Sequence, residues 1–261
     1  YYLNRNLQYI GIMGFSIKHI NSKFKKKNNP KVGLIALSTD QTIEGDFYTI
    51  CKNLPLDIFV NRIHNQNPLT KENLLKMQDD LELVTSKILP DERINTIAYG
   101  CTSGTIAIGE DKVKEKILLA KQDCYVTTPV TSAIKAFKQM NIRKIALFTP
   151  YPDAVNKTIL DYFTQKSIEV SSFTSLNLNL DSEIAQVDPN YILEISSKLE
   201  IKNADALFIS CTALPVLDIL DKLENKIQKP VLSSNQTLIW DTIRSVGCKS
   251  PIKGYGKLLE N

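Results

Sequence analysis

One run of strand and helix signals occurs twice in this chain, and that repeat restricts the available folds more than any other feature. The first copy opens on the apolar run from Lys31 to Leu37 and reaches Cys101, 70 positions after Lys31. The second opens at Lys144 and reaches Cys211, 67 positions later. Each cysteine is followed by threonine, in GCTSG at 100–104 and in SCTA at 210–213. Beyond each comes a further match: Thr127 lies 26 positions after Cys101 in YVTTPVT, and Ser233 lies 22 after Cys211 in PVLSSNQT. Repeats of this length imply duplicated lobes and not a solenoid.

Within each copy, short apolar runs alternate with stretches of helical spacing. Strands are expected at 31–37, 56–63, 96–99 and 124–126, then again at 143–149, 168–170, 206–210 and 230–232. Helices are expected at 43–52, where Asp40 or Thr42 would cap, and at 70–89 behind Thr70. Others are expected at 104–120 with a break at Gly109, and at 131–140, 155–166, 189–199, 216–225 and 237–246. This alternation predicts an α/β fold of two pseudosymmetric lobes, each a short parallel sheet flanked by helices. Ligands in such sheets bind beyond the carboxyl ends of the strands, so the expected site is the cleft between the lobes. The expected division is 31–130 for the first lobe, 131–235 for the second, and 236–261 for a helix and tail packing back on the first.

Residues 1–30 stand outside the repeat. Their apolar stretch around 10–17 is broken by glycine and too short to span a bilayer. The lysines at 23 and 25–27 follow that stretch, the reverse of a signal peptide. The segment is expected to be a disordered extension or fragment end with no targeting role. The net charge of +4 comes partly from those lysines. The remainder is close to neutral and shows no nucleic-acid footprint. Five cysteines in 261 residues, with no C-x-x-C pair and only two histidines, argue against a structural zinc site and a disulfide framework. Free thiols point to a reducing compartment, the cytoplasm.

A single cysteine at the end of a buried strand is ordinarily a small core residue. Two of them, each leading into threonine and an expected helix start, suggest a pair of acid/base groups facing one another. A helix N-terminus favours thiolate, and Thr102, Ser103, Thr212 and nearby backbone N–H groups suit a carboxylate. One thiolate could remove a proton beside that carboxylate while the opposite thiol delivers one.

These residues resemble the aspartate/glutamate racemase superfamily, and within it the maleate isomerase and arylmalonate decarboxylase branch. The matching stretches are STDQTIE at 38–44, GCTSG at 100–104, TPY at 149–151, SCT at 210–212 and PVLSSNQ at 230–236. The resemblance covers roughly Lys31 to the end. It implies an isomerase that needs no metal or organic cofactor, with Cys101 and Cys211 as catalytic thiols. Tyr151 would donate to the substrate carboxylate or enediolate, and Thr102, Ser103 and Thr212 would cradle the carboxylate. The decarboxylases of the branch keep only the second cysteine, and this chain keeps both.

Asp40 stands where the maleate isomerases carry asparagine, which resembles the ectoine-utilisation protein A type. An acid there would repel a second carboxylate but pair with an ammonium group; Asp181 is a looser parallel. The expected partner is a small carboxylate, with an amino-acid-like one favoured by Asp40, and neither nucleic acid nor membrane, in a chain for which a homodimer would be ordinary. Plainer readings stand beside these. Asp40 is also a good helix cap, Tyr151 a good apolar filler, and Asn235 and Gln236 read as caps or turn residues. A two-lobed protein that binds a carboxylate without chemistry is the alternative from another class.

Overall fold

The computed structural model describes residues 9–12, 15–18, 20–24 and 28–261. The segment expected to lack order contains an antiparallel pair, β1 (Tyr9–Ile12) with β2 (Phe15–Lys18). The remainder of that expectation, at 1–8, 13–14, 19 and 25–27, falls outside the described residues.

The first half runs β3 (Lys31–Leu37), α1 (Ile43–Cys51), β4 (Asp57–Ile63), α2 (Lys71–Ser86) and β5 (Thr96–Gly100). It continues through α3 (Thr102–Ile108), α4 (Glu110–Ala120), β6 (Tyr125–Thr127) and α5 (Pro129–Gln139). The second half runs β7 (Lys144–Thr149), α6 (Asp153–Gln165), β8 (Glu169–Ser175), α7 (Asp181–Ala185), α8 (Pro189–Ser196) and β9 (Ala206–Ile209). After a 3-10 turn at Leu217–Ile219 come α9 (Leu220–Ile227), β10 (Val231–Ser233), α10 (Ser234–Ser245) and α11 (Lys257–Glu260).

Both sheets have four parallel strands in the same order. The first is β4-β3-β5-β6 and the second β8-β7-β9-β10. In each, the first strand of the half lies second from the edge, with the cysteine-bearing strand beside it. Registers such as Leu37 opposite Ile63 and Ala36 opposite Gly100 bring the carboxyl ends level, so the loops at 38–42, 64–70 and 101 gather at one edge. The central strands carry helices on both faces, which is why β3 is almost wholly apolar: Val32, Leu34, Ile35 and Ala36 are fully buried. Each full burial of such a side chain contributes about 1.5–3 kcal/mol.

The halves exchange helices. Phe137 of α5 packs edge-on against Phe208 of β9, ring centroids 5.2 Å apart, with Phe163 of α6 completing the cluster. Conversely, α10 packs on β5, β6 and α5. The buried Asp241 of α10 accepts from the Tyr125 hydroxyl at 3.0 Å, Thr127 Oγ1 at 2.5 Å and Lys135 Nζ at 2.8 Å. A carboxylate paired this fully holds its helix in place without stranding a charge. Among the described residues no helix is long and apolar enough to cross a membrane, and all five cysteines are free.

Candidate functional site

Cys101 follows β5 in extended conformation and is the N-cap of α3. Its Sγ accepts from the Gly104 N–H at 3.1 Å, with Ser103 Oγ 3.9 Å away. Gly104 has to be glycine: a Cβ there would lie 2.7 Å from Cys101 Sγ and 2.8 Å from the Tyr99 hydroxyl. Cys101 is 2 % exposed. Burial pushes its pKa up to about 12, with Asp181 and Asp40 adding to the rise and the Gly104 N–H and Ser103 opposing it. The expectation of a thiol acidified by its helix therefore fails in this structure. Removing the thiolate from water outweighs the one aligned N–H.

Cys211 follows β9 and is 3 % exposed. No α-helix starts after it. The chain turns through Thr212 to Pro215 before the 3-10 turn, and the nearest backbone donor, Ala213 N–H, lies 3.4 Å from Sγ. Burial raises this thiol too, and the group that most opposes the rise is the Tyr151 side chain. Tyr151 is itself buried. Its carbonyl is held by Asn156 Nδ2 and Ser175 Oγ, each at 2.6 Å, which fixes where the ring projects. Its phenol is raised well above the ordinary value by burial, then by the Cys211 and Cys101 thiols.

Two carboxylates complete the setting. Asp40 Oδ1 accepts from the N–H groups of Thr42 at 2.7 Å and Ile43 at 2.8 Å, capping α1 from two residues before its N-cap position. Its Oδ2 is buried and has no donor. Burial raises Asp40 to about 6, against the two backbone N–H groups, while Asp181 adds to the rise. Asp181 opens α7, is 4 % exposed, and accepts from Thr39 Oγ1 at 2.5 Å and Asn65 Nδ2 at 3.0 Å. Burial raises it as well, and these two donors counter the rise. Asp40 and Asp181 each act on both thiols, so the two sulfurs share one electrostatic environment although they come from different halves.

The structure thus brings together Cys101, Cys211, Asp40, Ser103, Tyr151 and Thr212, with Asp181, the looser parallel, beside them. Thr102 is buried beside them, but its hydroxyl donates to Ser234 Oγ at 3.0 Å. Thr212 Oγ1 reaches the Gly100 carbonyl at 3.3 Å, and Thr42 Oγ1 the Ala213 carbonyl at 2.8 Å, so the Cys211 loop is tied to the first half. Sequence reasoning missed Thr39 and Asn65. Their position just past the strand ends was the available signal. Among the described residues no three His, Cys, Asp or Glu side chains are grouped to hold a metal ion.

The arylmalonate decarboxylase family matches residues 109–259. A maleate isomerase of Geobacillus stearothermophilus is 26% identical over 243 residues, covering 88% of this chain and 96% of that protein. Among solved structures, the maleate isomerase Iso from Pseudomonas putida S16 superposes with a TM-score of 0.82 at 21% identity, covering 90% of this chain and 99% of the other. A cysteine-to-serine variant of the Nocardia farcinica maleate cis-trans isomerase, carrying a covalently bound succinylcysteine intermediate, gives a TM-score of 0.82 at 19% identity. It covers 89% of this chain and 99% of its own.

Proposed function

The chain belongs to the arylmalonate decarboxylase family, and on that premise we propose that it is a cofactor-independent isomerase of a small carboxylic acid, working through two cysteines. The observation that carries this reading is the pairing of Cys101 and Cys211. They end equivalent strands of two like-ordered sheets, are both buried, and share Asp40, Asp181 and Tyr151. A structural cysteine has no need of a partner on the equivalent loop.

In the proposed reaction the acid's carboxylate lies against Ser103, Thr102, Thr212 and the N–H groups of their loops. One thiolate takes the proton from the carbon beside the carboxylate and becomes a thiol. The opposite thiol returns a proton to the other face and becomes a thiolate. The Tyr151 hydroxyl donates to the negative charge that grows on the carboxylate oxygens between these steps. Covalent addition of one sulfur to an alkene, with the other managing the proton, is the variant suggested by the succinylcysteine adduct in the Nocardia protein.

The substrate proposed is an acid bearing an ammonium group. Asp40 Oδ2 is an acceptor without a donor, and a second substrate carboxylate could not supply one. An ammonium group there would also offset the two aspartates, lowering the cost of forming a thiolate nearby. The proposed compartment is a reducing cytoplasm, which would keep both thiols free.

The test is hydrogen exchange in D2O with aspartate, glutamate, maleate and an arylmalonate, using the protein and its Cys101→Ser and Cys211→Ser variants. Deuterium at the carbon beside the carboxylate, or isomerisation, is expected with the unaltered protein and lost in both variants. Full activity in either variant would end the two-thiol reading. Carbon dioxide release from the malonate without isomerisation of any acid would favour decarboxylation.

A further inference from the structure

The N-terminus of α10 is capped without help from its first two side chains. Ser233 and Gln236 form the capping box, with Gln236 N–H donating to Ser233 Oγ at 3.2 Å. Ser234 and Asn235 are nevertheless polar and buried, at 0 % and 1 % exposure. The equivalent helix of the first half, α5, is capped in the same way by Thr128 and Thr131 and begins with Pro129 and Val130. A helix start in this fold therefore does not require the polar pair.

Ser234 Oγ accepts from Thr102 Oγ1 at 3.0 Å. Asn235 Nδ2 donates to the Thr212 carbonyl at 2.8 Å and to Asp46 Oδ2 at 2.7 Å. Two adjacent residues thus hold the two threonines that follow the two cysteines. Their Cα atoms are separated by a fixed ~3.8 Å. Both contacts of Asn235 are acceptors, so only its NH2 group can face them, and Asp46 on α1 holds it there. The helix carrying the pair is itself anchored to the first half by Asp241 and by Ser245, which shares a 2.7 Å hydrogen bond with Thr96.

We propose that Ser234 and Asn235 are positioning residues that set the two cysteine loops relative to one another, with Asp46 locking the Asn235 amide. This rests on the two-thiol reading of the site. Neither side chain touches substrate in this account. Ser234 acts through the Cys101 loop and Asn235 through the Cys211 loop.

The discriminating measurement is the alkylation rate of individual cysteines by iodoacetamide in the folded full chain, mapped by peptide mass spectrometry. Buried Cys51 reports global opening. Asn235→Ala is expected to raise the Cys211 rate about tenfold, with Cys101 and Cys51 changed less than about threefold, because only the Cys211 loop gains local freedom. Ser234→Ala is expected to do the reverse, acting on Cys101. Asp46→Asn keeps an acceptor for the Asn235 amide and should match the unaltered protein, whereas Asp46→Ala should follow Asn235→Ala in direction and stands in for it if that variant does not fold. In turnover, Asn235→Ala should lower kcat about tenfold at nearly unchanged KM. A rise shared by all three cysteines, or no rise at either loop, overturns the proposal. Activity surviving in Cys101→Ser or Cys211→Ser, with the split in alkylation intact, would overturn the two-thiol reading and leave the brace standing.

Discussion

The two cysteine loops occupy the same place in two like-ordered sheets, yet they treat their sulfurs differently. Cys101 caps a helix and receives a backbone N–H at 3.1 Å. Cys211 leads into an irregular turn, has its nearest backbone donor at 3.4 Å, and depends on the Tyr151 side chain. Duplication therefore preserved the backbone positions while the electrostatics diverged. Burial raises both thiols. They differ in what most opposes that rise, the Gly104 N–H at Cys101 and the Tyr151 side chain at Cys211.

The largest test of that difference is removal of either thiol. Cys101→Ser and Cys211→Ser should each cut turnover by about 10³-fold or more, because serine is far too weak an acid to replace them. Turnover left unchanged in either variant would remove that cysteine from the reaction.

Tyr151→Phe comes next. It removes the donor beside Cys211 and is expected to lower kcat about 10²-fold with KM little changed, as for loss of one oxyanion donor. An unchanged kcat would return Tyr151 to its plainer reading as apolar filler.

Asp40→Asn keeps an oxygen to accept from Thr42 and Ile43 but removes a charge shared by both loops. KM for an ammonium-bearing acid should rise about tenfold. Stability should move the other way. The folded state holds the Asp40 proton up to about pH 6, while its ordinary value is 3.8. Between those values the folded state binds more protons than the unfolded, so stability falls as pH rises through that window and stays lost above it. Asp40→Asn should therefore gain about 1–3 kcal/mol at pH 7.5 and almost nothing at pH 4, read from denaturant melts. An equal gain at both pH values would point to packing instead of charge.

The smallest effect is confined to one loop. Gly104→Ala forces a Cβ against Cys101 Sγ and the Tyr99 hydroxyl, and should cost about 1–3 kcal/mol of stability. Its influence on thiol ionisation should be seen at Cys101 and not at Cys211.

Much of the frame was legible because it rests on short-range signals. Apolar runs located the eight sheet strands, Thr70 was read correctly as the cap of α2, whose Asn73 N–H it accepts at 3.2 Å, and Gly109, with φ of 96°, does separate α3 from α4. The paired Cys-Thr steps pointed to the candidate site through the repeat. What escaped was set by contacts between distant residues. Asn235 looked like a cap because it stands at a helix start, and only its contacts with Asp46 and Thr212, 189 and 23 positions away, give it another task. Thr39 and Asn65 escaped because the group they serve, Asp181, lies 142 and 116 positions away. The helix expected at 216–225 does start there, as a 3-10 turn at Leu217 running into α9, but too far along the chain to cap the Cys211 sulfur as α3 caps Cys101. The expected acidic thiols failed because burial, which a local motif does not reveal, outweighs the helix end.

The central claim is that both sulfurs act on a single carbon, and a crystal structure of the protein soaked with an acid it isomerises tests this most directly. The account predicts Cys101 Sγ and Cys211 Sγ about 3–3.5 Å from the same carbon on opposite faces, with the carboxylate toward Ser103 and the ammonium group on Asp40. A ligand bound with one sulfur at that distance and the other turned away would contradict it.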